Sequence, residues 1–110
     1  MSKRVLVVAA HPDDEVLGVG GTIIRHAQMG DTVRILLMAE GLTSRADQRD
    51  VMRFQEELSA LHKNAQRVAY MLGAENIQLA DFADNRMDRV ELLDIIKVIE
   101  KEIGDFHPEI

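Results

Sequence analysis

The chain has no cysteine and no tryptophan, only two prolines, and aromatic residues make up 4% of its 110 positions. Without cysteine there are no disulfides and no thiolate metal ligands. That composition suits a reducing compartment, and a cytoplasmic location is expected. No run approaches the roughly 18 apolar residues that a membrane-spanning helix needs. Basic residues are in deficit as well: 13 Lys and Arg against 19 Asp and Glu leave a net charge of -6. That balance argues against nucleic-acid binding through phosphates. The apolar run from Val5 to Ala10 follows Met-Ser-Lys-Arg and superficially resembles a signal sequence. It ends too soon for the apolar region of a signal, which runs for about 7–15 residues. What remains is an ordinary globular composition, 46% hydrophobic, and a length that suits one small domain.

The densest chemistry lies near the start. Val5-Leu6-Val7-Val8-Ala9-Ala10 reads as a buried strand, because near-continuous apolar runs suit strands covered on both faces. His11-Pro12-Asp13-Asp14-Glu15 follows. Pro12 lacks an N–H and biases His11 toward an extended backbone, which ends the strand. Asp13, Asp14 and Glu15 sit where the next helix begins, and the helix dipole favours negative charge there. Open α/β sheets bind ligands beyond the carboxyl ends of their strands. One imidazole and three carboxylates therefore gather where such a fold does its chemistry. Two readings are open on these residues alone. His11 and Asp14 can face one divalent metal, with Asp13 beside it as a proton acceptor. Alternatively, the acids are helix caps and His11 is structural.

Ala10-His11-Pro12-Asp13-Asp14-Glu15, followed by Leu17-Gly18-Val19-Gly20-Gly21, resembles the signature of the zinc-dependent N-acetylglucosaminyl-phosphatidylinositol deacetylases, also called PIG-L or LmbE-like deacetylases. Ala83-Asp84-Asn85-Arg86-Met87-Asp88 is similar to the PDNR-type segment of that family, with Ala83 in the place of its proline. The resemblance runs through essentially all of residues 1–110, which would form the N-terminal portion of a single family domain. It implies a hydrolase that uses Zn2+, or another divalent metal, to remove an acetyl group from an N-acetylated amino sugar or similar small molecule. His11 and Asp14 would be the metal ligands, Asp13 the general base, and Asp84 and Arg86 substrate-binding residues. Glu15 reads as a helix-start residue standing behind the ligands. The family's third ligand is a histidine from a later segment. Among the other histidines, His26 lies along the first helix, His62 in the middle of the second, and His107 at the opposite end of the sheet. None of them converges on the turn.

The rest of the chain predicts a three-layer, Rossmann-like α/β fold, cut after its third strand–helix unit. Parallel strands are expected over 4–10, 32–39 and 76–79, and helices over 15–29, 46–72 and 89–103. Gly30, Gly73 and Gly104 read as helix stops. Gly18, Gly20 and Gly21 suggest close packing or close approach of backbone to a ligand. They do not complete a dinucleotide fingerprint, because the third glycine position holds Ile23. Residues 80–88 read as a polar loop. Arg45, after the second strand, either binds an anionic or hydroxyl-rich substrate or is simply solvated. The apolar set from Leu92 to Ile103 is wide enough for a largely buried helix. The first strand is left at a sheet edge, which invites pairing with another chain, so a homo-oligomer is expected. The competing function is a non-catalytic, self-associating half-domain that binds metal weakly.

Overall fold

The computed structural model describes residues 2–39, 51–82 and 92–110. Within them strands and helices alternate: β1 (Arg4–Ala9), α1 (Asp14–Gln28), β2 (Thr32–Ala39), α2 (Val51–Leu72), β3 (Asn76–Phe82) and α3 (Leu92–Phe106). The strands form one parallel sheet in the order β1-β2-β3, with Val5 opposite Val33 and Leu37 opposite Leu79. This is the expected α/β class.

Alternation along the strands sorts side chains between two faces. Val33, Ile35 and Leu37 join Val5, Ile23, Ala65, Ala69 and Ile77 in one core, which holds α1 and α2 against the sheet. Leu36 and Met38 are buried on the other face. There the Arg34 guanidinium lies 4.4 Å from the centroid of the Phe106 ring, and its Nη1 is 3.9 Å from Glu102 Oε1. Both partners belong to α3, so α3 covers the second face and the arrangement has three layers. β2 is buried along nearly its whole length because it is central in the sheet.

Beyond α3 the chain returns to β1. The Glu109 N–H donates to the Arg4 carbonyl at 2.8 Å, and the Leu6 N–H donates to the Ile110 carbonyl at 2.9 Å. Both sequences ascend together, so the contact runs parallel to β1 on the side away from β2. The winding therefore proceeds from β1 outward to β3, then jumps back to the far side of β1. In open α/β sheets such a reversal marks the ligand crevice at the carboxyl ends of the strands. Here that crevice begins at Ala10 and His11.

Several boundaries differ from the sequence reading. β3 continues to Phe82, so residues 80–82 are strand and not loop. An irregularity between Leu37 and Ala39 lets Phe82 pair with Ala39 after Leu79 has paired with Leu37. α3 passes Gly104 and ends at Phe106, where His107 takes a left-handed backbone with φ 53°. Phe106, only 5% exposed, anchors that extra turn under Arg34. α3 is also less buried than its composition suggests: Leu92, Leu93, Ile96 and Ile103 are all exposed. A Cβ at Gly18 or Gly21 would meet nothing within 4 Å among the described residues, so close packing does not explain these glycines. Gly18 and Gly20 flank Val19, whose φ of -137° breaks the helical backbone and kinks α1. The part of the second helix expected over 46–50 lies outside the described residues.

Candidate functional site

The site is a turn held by two hydrogen bonds and a close ring–carboxylate contact. Asp14 N–H donates to the His11 carbonyl at 3.1 Å, and the His11 N–H donates back to Asp14 Oδ2 at 3.1 Å. His11 Nδ1 stands 3.3 Å from the same oxygen. Both side chains keep access to solvent, at 37% and 48% exposure. The turn thus presents a ring nitrogen and a carboxylate oxygen at one point, at the carboxyl end of β1.

Asp13 occupies the N-cap position of α1 but does not cap it. Its backbone is left-handed, with φ 86° and ψ -27°, and its side chain makes no capping hydrogen bond. An N-cap side chain normally reaches the helix N–H groups from an extended backbone. Here the Asp13 carbonyl accepts from Val16 N–H at 3.0 Å and Leu17 N–H at 2.9 Å, and the carboxylate stays exposed. Left-handed backbone at a residue other than glycine is uncommon and clusters at functional sites. The plain capping explanation therefore fails for Asp13.

Glu15 behaves differently from its neighbours. It is 2% exposed, and its Oε2 has no hydrogen-bond partner among the described residues. Burial strips water from the carboxylate and raises its pKa; backbone hydrogen bonds from Glu15 and Asp13 work against this, and the Asp13 and Asp14 charges add to it. Asp14 and Glu15 together line a groove of about 480 Å³ that runs between α1 and the outer edge of β1, as far as Ile110.

Two of the other histidines are engaged elsewhere. His26 Nδ1 is committed to Asp31 Oδ2 at 2.7 Å. The His107 carbonyl accepts from Arg4 Nε at 2.8 Å, at the amino end of β1 and so opposite the turn. His62 lies within α2. Among the described residues, no cluster of three or more His, Cys, Asp or Glu side chains is disposed to hold a metal ion. His11 and Asp14 meet in the turn, where Asp13 is exposed and Glu15 is buried. Arg45, Asp84 and Arg86 lie outside the described residues. No described helix is long and apolar enough to cross a membrane.

The profile of the PIG-L family, GlcNAc-PI de-N-acetylase, matches residues 6–110. The chain belongs to this family. It is 34% identical over 102 residues to diacetylchitobiose deacetylase of Thermococcus kodakarensis, covering 91% of this chain and 38% of that protein. It is 26% identical to the probable N-acetyl-alpha-D-glucosaminyl L-malate deacetylase 2 of Bacillus anthracis, over 98% of this chain and 48% of the relative. Among solved structures, N,N'-diacetylchitobiose deacetylase from Pyrococcus horikoshii matches with a TM-score of 0.68 and 30% identity, over 92% of this chain and 38% of that one. The 4-carboxy-2-hydroxymuconate hydratase GalB of Pseudomonas putida matches with a TM-score of 0.79 and 25% identity, over 97% and 45%. The chain therefore spans roughly two fifths to one half of these relatives.

Proposed function

We propose that this chain carries the metal-binding turn of a zinc-dependent N-deacetylase acting on an N-acetylated amino sugar or a similar small molecule. The observation that carries the reading is the convergence of His11 Nδ1 and Asp14 Oδ2, 3.3 Å apart. Two atoms at this separation could hold one divalent ion between them. The donor set suits zinc: one neutral nitrogen and one carboxylate, without thiolates. A zinc ion held by His11 and Asp14 would supply Lewis acidity and make a water more acidic.

The remaining roles belong to the chain's own groups. Asp13, exposed and unused as a cap, accepts the proton of the attacking water. Water adds to the amide carbonyl carbon, and the C–N bond then breaks. Asp13 hands the proton to the departing nitrogen, leaving acetic acid and the free amine. Asp84, Arg86 and Arg45 are the proposed contacts to the sugar. The cytoplasmic, self-associating character expected from the sequence belongs to the same reading.

The likeness to GalB favours a second reading, in which the same turn adds water to a carbon–carbon double bond. The two are separated by one assay on the full-length protein, stripped with a chelator and reloaded with zinc. Acetate release from N,N'-diacetylchitobiose, restored by zinc, supports the deacetylase. Hydration of an unsaturated carboxylic acid without acetate release supports the alternative. Zinc-independent activity of either kind would overturn the metal assignment.

A further inference from the structure

β3 ends the sheet on the side away from β1, and among the described residues no strand pairs with its outer edge. The Glu75 N–H donates to the Val33 carbonyl at 2.8 Å, and Ile77 stands opposite Ile35. Along a parallel strand, alternate residues turn their main-chain groups to the same neighbour. Asn76 and Gln78 therefore turn their N–H and C=O groups outward. Such an edge is a template for another strand, and native proteins blunt it with charge, proline or a bulge. Asn76 and Gln78 are exposed and uncharged.

The side chains of Asn76 and Gln78 line a pocket of about 450 Å³ between β3 and α3, with Lys101 and Asp105 on its helical wall. Arg34 also reaches this pocket, but its guanidinium is engaged by Glu75, Glu102 and the Phe106 ring. Lys101 and Asp105 are exposed, lie one turn apart on α3, and have no ion-pair partner among the described residues. A two-fold axis normal to the sheet at the β3 edge reverses the order of that pair. It sets Lys101 of each copy against Asp105 of the other. The amides of Asn76 and Gln78 each donate and accept, so they too can meet their own kind. The chain carries a net charge of -6, and a face of balanced charge is where two copies can approach.

We propose that a second copy of this chain docks antiparallel on the outer edge of β3, extending the sheet across a two-fold axis, with Lys101 of each copy paired to Asp105 of the other. The contact lies toward the amino ends of the strands, away from the turn of His11 and Asp14, and does not depend on the roles proposed for them.

Sedimentation of the full-length protein tests this. The parent should dimerise. Lys101→Asp and Asp105→Lys each set like charges face to face at both ends of the contact, so each should raise the dissociation constant about 10- to 100-fold. Both positions are exposed, so the variants should fold like the parent. An equimolar mixture of the two should regain the parent's association, because an acidic copy then faces a basic one. In a cysteine-free background, Gln78→Cys, alone or mixed with Asn76→Cys, should form a disulfide-linked dimer on mild oxidation. It should do so faster than the exposed control Tyr70→Cys. A monomeric parent, or equal dissociation constants in the parent and both charge variants, would overturn the proposal. Cross-linking no faster at the β3 edge than at Tyr70 would overturn it as well.

Discussion

His26 Nδ1 lies 2.7 Å from Asp31 Oδ2, and the other oxygen of that carboxylate accepts the Lys3 backbone N–H at 2.9 Å. One buried side chain thus ties the end of α1 to the entry of β1. It also withdraws His26 from any part in the metal site. The His26 hydrogen bond, followed by that of Lys3, holds the Asp31 pKa below its ordinary value. The unfolded chain therefore takes up this proton first as pH falls. The stabilisation is complete above the unfolded aspartate value, about 4, and is lost as pH drops through the folded value. Asp31→Asn should lower the melting temperature at pH 7, and the gap to the parent should narrow below pH about 4. A gap independent of pH in thermal melts would contradict the assignment.

Gly73 closes α2 with φ 89°, and a Cβ there would meet the Ala27 Cβ at 2.7 Å. Gly73→Ala combines left-handed strain with a clash against α1. It should destabilise by about 1–3 kcal/mol in denaturant titrations, the range for a left-handed residue other than glycine. Adding Ala27→Gly should relieve the clash and leave the strain, so the double variant should lose less than the sum of the two singles. Strict additivity would show that the two helices can move apart freely.

The outer edge of β1 is covered only by Glu109 and Ile110 among the described residues, and Val8 is 45% exposed along it. Leu92 and Leu93 add exposed apolar surface on α3. Residues 1–110 should therefore show concentration-dependent self-association in sedimentation. Val8→Lys should shift the chain toward monomer, because a charge blunts an open edge. A compact monomer at all concentrations would refute this prediction.

Much of the fold was legible because its signals are local. β2 matched over 32–39, and α1 fell within one residue of its expected ends. The misses came from tertiary contacts. Phe106 carries α3 past Gly104 because Arg34 receives its ring from another element. β3 gains residues 80–82 through pairing that a strand's own sequence does not show. The turn of His11, Asp13 and Asp14 was readable because its members lie within four consecutive positions. That Asp13 leaves the cap, and that Glu15 turns inward, depends on backbone angles and packing that similar acidic helix starts do not share.

Removing a proposed ligand should remove the metal. His11→Ala and Asp14→Ala should each lose most bound zinc by elemental analysis of the purified full-length protein, with activity falling in parallel. Unchanged zinc in both variants would discard the ligand assignment.

The division of labour within the turn is tested most directly by Asp13→Asn in the full-length protein, with zinc content and turnover measured on the same sample. The account predicts zinc retained at the parent level and kcat reduced about 10²- to 10⁴-fold, the range for loss of a general base. Full turnover with zinc in place, or loss of zinc along with activity, would contradict it.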